Sequence, residues 1–163
     1  MESFETIETF RAWRSKVAPS LTVGFVPTMG ALHAGHRALI ERARRECDRV
    51  VVSIFVNPTQ FNDPKDCATY PQPLEADRSL CAEAGVDAVF LPTKDHFYPD
   101  GYRYRVTENA ESTALEGEFR PGHFDGVLTV VLKLFNVVGP CRAYFGEKDW
   151  QQLQLVKGMA DAL

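Results

Sequence analysis

Residues 21–47 constrain the fold of this chain more than any other stretch, because three kinds of local signal follow one another there. The apolar and mostly β-branched residues at 23–26 predict a short buried strand. Pro27 and Gly30 then predict that this strand ends in a turn. From about Gly35 onwards the apolar positions recur with helical spacing. A strand, a glycine-bearing turn and a helix in this order place the free N–H groups of a helix N-terminus where an anion can bind.

Two histidines, His33 and His36, lie at this corner. If the first helical turn begins there, their three-residue spacing puts both imidazoles on one side of the helix. A single histidine near a helix start is more often a cap or a surface residue than a catalyst. A His-x-Gly-His sequence directly after a buried strand is harder to explain in that way, so both histidines are candidate catalytic residues.

The remaining apolar patterns predict an α/β protein. Residues 50–56 are almost continuously apolar, which is typical of a strand covered on both faces of a parallel sheet. Helices are expected at 7–17, 35–48, 73–84, 127–138 and from 150 onwards. Further strands are expected at 88–91, 143–145 and, as an edge strand, 104–107. With one core for 163 residues, this alternation predicts a single domain: a mostly parallel sheet with flanking helices.

Composition and charge exclude several classes of protein. A net charge of −4 argues against a general nucleic-acid binder. The acidic N-terminus has no apolar signal core, and no apolar run approaches membrane-spanning length, so no membrane partner is expected. The cysteines lie far apart without a Cys-x-x-Cys pair, which favours reduced thiols in a cytoplasmic protein.

Three polar clusters follow predicted strands, at residues 27–36, 57–60 and 146–149. In open α/β sheets ligands bind beyond the carboxyl ends of the strands, so these clusters are expected to form one site. The chain has neither a dinucleotide-binding Gly-x-Gly-x-x-Gly nor a P-loop, but histidine, lysine and a helix N-terminus can also bind phosphates. The second and third clusters equally fit ordinary turns. His96 and His123 lack metal-ligand spacing, so both are interpreted as structural and no metal site is predicted.

Residues 27–36, Pro-Thr-Met-Gly-Ala-Leu-His-Ala-Gly-His, resemble the signature of the pantothenate synthetase (pantoate–β-alanine ligase) family. That family belongs to the His-x-Gly-His nucleotidylyltransferase superfamily, which implies a Rossmann-like fold. The similarity extends in order over most of residues 23–157 and includes the segments 53–61, 70–71, 97–101, 115–117, 120–124, 126–134 and 145–153. The His-x-Gly-His element alone would indicate only the superfamily, whereas the ordered set is specific for the family.

The resemblance implies a two-step reaction that consumes ATP with its Mg²⁺. The carboxylate of pantoate attacks the α-phosphate to give pantoyl adenylate and pyrophosphate, and the amine of β-alanine then displaces AMP to form pantothenate. Attack at phosphorus needs positioning and neutralisation of negative charge, which His33, His36 and Lys148 can supply.

The resemblance also implies roles for individual residues. His36 is the expected proton donor. Gln60 and Gln152 are expected to hold pantoate through neutral amides, with Asn57 supporting that wall and Gln60 also contacting β-alanine. The residues expected to contact ATP are Met29, Gly30, Ala31, Leu32, His33, Ala34, Gly35, His36, Gly146, Glu147, Lys148 and Asp149.

One departure from the family pattern affects the expected activity. Family members continue past the final helix into another strand, a Ser-Ser-Arg-Asn loop and a small C-terminal domain that closes over the nucleotide, whereas this sequence ends at Leu163. Residues 1–163 are therefore expected to be the nucleotide- and pantoate-binding domain, with little or no ligase activity alone. The alternatives are a nucleotidylyltransferase with another acceptor and a non-catalytic binding or dimerisation fragment. Dimerisation through this domain is common in the family, so a homodimer is a further expectation.

Overall fold

Five parallel strands form one sheet in the computed structural model, which describes residues 1–163. The strands are β1 (Glu2–Phe4), β2 (Val23–Thr28), β3 (Arg49–Ile54), β4 (Ala88–Phe90) and β5 (Arg142–Ala143). Their order across the sheet is β1-β4-β3-β2-β5. The predicted α/β class with a mostly parallel sheet is therefore confirmed.

Eight α-helices and two short 3₁₀ turns connect and cover the strands. The helices are α1 (Ile7–Arg14), α2 (Ala34–Glu46), α3 (Pro64–Thr69), α4 (Leu74–Glu83), α5 (Lys94–Phe97), α6 (Glu116–Phe119), α7 (His123–Val138) and α8 (Trp150–Ala162). The 3₁₀ turns are Pro58–Gln60 and Glu111–Thr113. None of the helices combines the length and the apolar character that crossing a membrane requires.

Hydrophobic side chains cover both faces of the sheet, as the continuous apolar character of β3 predicts. Val51 belongs to the larger core, which also takes in apolar residues of α1, α7 and α8. Its neighbours Val50 and Val52 point the other way, into a smaller core with residues of α2 and α4. All three valines are completely buried, so β3 is the centre of the molecule.

The strand order reverses beside β2. The chain moves from β2 to β3 and then β4 in one direction, and it later returns to place β5 on the opposite side of β2. Ligands of open α/β sheets bind at the carboxyl ends of strands where the order reverses in this way. The loops that follow β2 and β5, residues 29–33 and 144–149, both begin at this point.

Pro27 does not end its strand, contrary to the prediction. It pairs in register with Ser53 and is followed by a further paired residue. The carbonyl of Phe25 accepts from a residue after β5, whereas that of Thr28 accepts from a residue after β3. The backbone groups of Pro27 and Phe25 point toward the same neighbouring strand, β5. Because β5 pairs with β2 no further than Phe25, no partner lies beside the backbone nitrogen of Pro27. The missing N–H of the proline is therefore not needed by the sheet.

The prediction of an edge strand at 104–107 is wrong. The N–H of Val106 donates to the hydroxyl of Thr129, 2.9 Å away, so this segment packs on α7 instead of joining the sheet. The edge beside β4 is taken by β1, which the sequence analysis missed because a three-residue Glu-Ser-Phe strand has no periodic pattern. Residues 57–73, which connect β3 to α4, contain a 3₁₀ turn and helix α3.

Candidate active site

The loop between β2 and α2 is held in an unusual backbone conformation. Gly30 and Ala31 both have positive φ, +87° and +51°. The N–H of Gly30 donates to Thr28 Oγ1 at 3.1 Å. The next two N–H groups donate to the carboxylate of Asp77 in α4, from Ala31 at 2.9 Å and from Leu32 at 2.7 Å. The Asp77 side chain is buried, so these bonds are shielded from water.

His33 and His36 cap the start of α2 reciprocally. His33 is the N-cap residue, and its Nδ1 accepts from the N–H of Gly35 at 3.1 Å. Nδ1 of His36 in turn accepts from the N–H of His33 at 3.4 Å. The two ring centroids lie 4.2 Å apart. Because each Nδ1 accepts a hydrogen bond, each neutral ring carries its proton on Nε2, and the structure confirms that both imidazoles lie on one side of the helix.

Burial lowers the pKa of His36 below its ordinary value, and the neighbouring His33 lowers this pKa further. Asp77 and Asp149 oppose the shift, and Lys148 adds to it. The imidazole of His36 is therefore neutral at pH 7, with Nε2–H free to donate a hydrogen bond.

Asn57, just beyond the end of β3, anchors a second wall of the site. It is 1% exposed. Its Nδ2 donates to Gln60 Oε1 at 3.0 Å and to the carbonyl of Gly126 at 3.1 Å. Its Oδ1 accepts from the hydroxyls of Tyr98 and Thr59, both at 2.9 Å. All of its hydrogen-bonding capacity is thus directed at protein groups, so Asn57 orients Gln60 rather than offering a contact of its own.

Both the side chain and the backbone carbonyl of Gln60 contact other residues of the protein. Its Nε2 lies 3.2 Å from the sulfur of Met29, a weak acceptor that leaves this amide nitrogen available to a ligand. Its carbonyl accepts from Nδ1 of His123 at 2.8 Å. His123 is 5% exposed, and burial lowers its pKa. These contacts agree with the structural interpretation of His123.

The loop after β5 contributes the third corner. Lys148 extends into solvent with 89% of its side chain exposed, and its Nζ lies 3.4 Å from Oδ1 of Asp149. Helix α8 begins at Trp150, and its Gln152 lines the same cavity as Lys148 and Asp149. No intramolecular hydrogen bond engages the Gln152 side chain, in contrast to that of Gln151, which donates to Glu111 and Ala114 carbonyls.

One cavity of about 300 Å³ joins the three corners. The predicted site residues that line it are Met29, His33, His36, Asn57, Gln60, Lys148, Asp149 and Gln152. Apolar side chains of α7, together with those after β3 and β5, complete the lining: Val127, Val130, Val131, Leu134, Phe55 and Phe145. The predicted residues that do not line this cavity are Gly30, Ala31, Leu32, Ala34, Gly35, Gly146 and Glu147. The structure therefore brings both histidines and the lysine to one shared cleft.

A larger cavity of about 520 Å³ lies beside the first, and Met29 and Phe55 line both. It extends between the loops that follow β2, β3 and β4, and its lining includes Gly30, Asp77 and Lys94. Neither the histidines nor Lys148 line it, so the candidate catalytic groups belong to the smaller cavity.

Several residues of the site were missed by sequence reasoning. The helical spacing of Val127, Val130 and Val131 predicted a buried helix, but it gave no sign that α7 forms one wall of a site. Nothing around Tyr98 or Asp77 indicated a hydrogen bond to a distant loop. These two contacts span 41 and 46 residues, and only tertiary packing creates them.

Comparison with protein families and known proteins identifies relatives along the whole chain. Residues 2–163 match the family model described as pantoate-beta-alanine ligase. The chain is 61% identical to the pantothenate synthetase of Bdellovibrio bacteriovorus, over 94% of this chain and 60% of that protein. It is 54% identical to the pantothenate synthetase of Aquifex aeolicus, over 98% of this chain and 57% of that protein. The chain thus spans about 60% of the length of these relatives.

Solved structures agree with the family match. The pantoate-beta-alanine ligase of Francisella tularensis, complexed with beta-gamma ATP and beta-alanine, superposes with a TM-score of 0.97 at 47% identity, over 99% of this chain and 62% of that one. Pantothenate synthetase from Thermus thermophilus superposes with a TM-score of 0.92 at 52% identity, over 99% of this chain and 58% of that one. The predicted Rossmann-like fold is confirmed. The match over residues 2–163 and these close relatives establish that the chain belongs to the pantoate-beta-alanine ligase family.

Proposed function

We propose that this chain binds ATP and pantoate for the ATP-dependent condensation of pantoate with β-alanine, through a pantoyl adenylate. The observation behind the proposal is the shared cavity, whose lining combines two imidazoles, a lysine and two glutamines with an apolar wall. The Francisella relative, whose structure contains beta-gamma ATP and beta-alanine, supports the same assignment.

In the first step a carboxylate oxygen of pantoate forms a bond to the α-phosphorus, and the bond to pyrophosphate breaks. Negative charge spreads over the phosphate oxygens as this happens. Nε2–H of the neutral His36, the adjacent His33 and the ammonium of Lys148 are the groups that donate to these oxygens. The N-terminal end of α2 adds positive potential. Mg²⁺ usually retains phosphate and water ligands, so we assign it to the triphosphate and not to a protein cage.

The glutamines and valines in the cavity lining match the chemistry of pantoate, a hydroxy acid with two methyl groups. The amides of Gln60 and Gln152 can donate to its carboxylate and hydroxyls. Val127, Val130 and Val131 provide an apolar surface for the methyl groups. In the second step the β-alanine nitrogen forms a bond to the acyl carbon, the bond from that carbon to the AMP oxygen breaks, and the nitrogen releases a proton to water. We propose that Gln60 also positions this amine.

The decisive test is ATP–pyrophosphate exchange dependent on pantoate, measured on the full-length protein that contains this chain. We expect His36→Ala to lower the exchange rate about 10²–10³-fold with a much smaller effect on substrate KM, because the imidazole stabilises charge that develops in the transition state. His96→Ala, which removes an exposed histidine that does not line the cavity, is the matched control. Unchanged exchange in His36→Ala would remove this residue from the mechanism.

A second experiment tests the cation. Lys148→Ala should reduce exchange strongly, whereas Lys157→Ala removes the same charge from an exposed site on α8 outside the cavity and should not. Replacing pantoate by other small acids in the same assay tests the acceptor. Rates with another acid that match or exceed those with pantoate would favour a different nucleotidylyltransferase of the superfamily.

We further propose that residues 1–163 bind both substrates but form pantothenate slowly by themselves. Lys148 is largely exposed, so water has access to an acyl adenylate at this corner. Calorimetry with ATP and pantoate should detect binding, and a coupled assay of AMP release should detect little product. We also propose a homodimer, which sedimentation of the same sample tests. Release of AMP at the rate of the full-length protein would contradict the first proposal.

A further inference from the structure

The carboxylate of Asp77 is the one side chain from another part of the sequence that hydrogen-bonds to the backbone of the histidine loop, residues 29–33. It projects from the first turn of α4, 45 residues beyond Leu32. Its two oxygens accept separate backbone N–H groups, from Ala31 at 2.9 Å and Leu32 at 2.7 Å. The residue is 2% exposed, so water does not compete for these oxygens. Hydrogen bonds of this charge-assisted kind are among the stronger ones in proteins.

The histidine loop needs such a restraint because its own backbone is unfavourable. Gly30 and Ala31 adopt positive φ in succession, at +87° and +51°. Glycine tolerates this conformation, but the Cβ of an L-residue such as alanine makes it costly. The Asp77 carboxylate accepts from the strained Ala31 and from the residue after it, which offsets that cost and selects this loop conformation over relaxed ones.

The restraint is transmitted to the imidazoles along a short stretch of chain. Leu32 immediately precedes His33, whose N–H donates to Nδ1 of His36 and whose ring caps α2. Movement of the Leu32 amide would therefore displace the cap and both rings together. We infer that Asp77 is a positioning residue: it fixes the histidine loop so that His33 and His36 face the smaller cavity, whose lining does not include Asp77. The consequence for ATP rests on the proposed function.

The neighbouring acid on the same helix shows that this arrangement is specific to Asp77. Glu75 also lies in the first turn of α4, but its side chain is exposed and makes no hydrogen bond to the loop. A general preference for acids at helix starts explains Glu75. It does not explain a buried carboxylate with both oxygens bonded to a loop in another part of the chain.

The test compares Asp77→Asn with Glu75→Gln, each of which removes one acid from the first turn of α4. Asparagine has the same shape but offers only one acceptor oxygen, so one of the two N–H groups loses its partner. We expect amide hydrogen exchange at Ala31 and Leu32 to accelerate about 10- to 100-fold in Asp77→Asn relative to exchange in the core strand β3. The ¹⁵N signal of His36 Nδ1 should also shift as its bond to the His33 N–H weakens. Glu75→Gln should leave all of these signals unchanged.

ATP affinity, measured by calorimetry, links the loop to the proposed function. We expect Asp77→Asn to bind ATP about tenfold more weakly and Glu75→Gln to bind it as the unchanged chain does. A purely structural role predicts a different pattern, in which exchange accelerates equally in the loop and in β3 while the folded molecules keep full ATP affinity. That pattern, or unchanged exchange at Ala31 and Leu32, would overturn the inference.

Two further outcomes separate the inference from the proposed function. If the unchanged chain binds no ATP, the proposed function fails, while the exchange and ¹⁵N measurements still decide the role of Asp77. If Asp77→Asn does not fold, amide hydrogen exchange in the unchanged chain decides whether Asp77 restrains the loop. The amides of Ala31 and Leu32 should then be protected, unlike that of exposed Gln72, and rapid exchange at both would overturn the inference.

Discussion

At the scale of single residues, the part of the cavity wall around Gln60 depends most on Asn57. Its amide joins three separate parts of the chain: Gln60 in the adjoining turn, the α7 backbone at Gly126, and the hydroxyl of Tyr98. An asparagine before a proline is an ordinary turn signal, so the sequence predicted its location in a turn but not these partners. An asparagine this deeply buried is tolerated because every polar atom of its side chain has a partner.

Replacing Asn57 should therefore destabilise the whole domain. We expect Asn57→Ala to lower the free energy of unfolding by about 2–4 kcal/mol, because it leaves the Gly126 carbonyl and the Tyr98 hydroxyl without their buried partner. Asn109→Ala is the control, because Asn109 is exposed and its side chain makes no hydrogen bond within the chain; it should stay within about 0.5 kcal/mol. Urea unfolding measures the free energy of unfolding of both variants. Equal losses in Asn57→Ala and Asn109→Ala would contradict the role given to Asn57.

At the scale of elements, the site depends on the close approach of α7 to the 3₁₀ turn at Pro58–Gln60. A Cβ on Gly126 would lie 2.4 Å from the carbonyl oxygen of Thr59 and 2.6 Å from its carbon. Only glycine lets the helix backbone come this near. The Gly126 carbonyl of this helix can then hold Asn57, and His123 can hold Gln60, so two residues of the cavity wall are oriented by one packing contact.

Two helical glycines allow a matched test of this packing. Gly126→Ala should destabilise the fold by about 3 kcal/mol or more, because the added carbon overlaps backbone atoms that cannot rotate away. Gly158→Ala, in α8, meets nothing within 4 Å and should stabilise the fold by up to about 1 kcal/mol through helix propensity. Thermal unfolding distinguishes the two. Similar effects of both substitutions would show that the close approach is not required.

The elements also show where prediction from sequence works. β3 was predicted because a strand covered on both faces is almost continuously apolar, and four of its six residues, 50–53, are indeed buried. The edge strand β1 has too few residues for any period, and the segment 104–107 alternates like a strand although Val106 is engaged by Thr129. A strand exists only where another strand offers its edge, and a single segment contains no information about that partner.

At the scale of the whole molecule, stability should depend on pH through two partly or fully buried histidines. Burial lowers the pKa of both His36 and His123 from 6.5. Between those lowered values and 6.5 the unfolded chain binds more protons than the folded one, so the free energy of unfolding decreases as the pH falls through this range. Both histidines thus contribute stability that is fully present above about pH 7 and is lost on acidification.

Removal of one histidine should reduce this pH dependence. His123→Asn keeps an N–H donor for the Gln60 carbonyl but cannot gain a proton. Between about pH 7.5 and 5.5 the unchanged chain should lose more stability than His123→Asn in urea unfolding. His96→Asn, at an exposed histidine, should behave like the unchanged chain. If His123→Asn loses as much free energy of unfolding over this pH range as the unchanged chain, His123 does not contribute to the pH dependence of stability.

The sequence by itself determined the local chemistry of this protein. Hydrophobic periods indicated the main helices and the central strands, and the residues at 27–36, 57–60 and 146–149 indicated which loops to examine, because such signals need only neighbouring residues. Tertiary structure alone decided that these loops meet where β5 returns beside β2, that Asp77 supports the histidine loop, and that α7 forms a wall of the cavity. Those contacts join residues separated by tens of positions, and they form only when burial of both sheet faces brings the elements together.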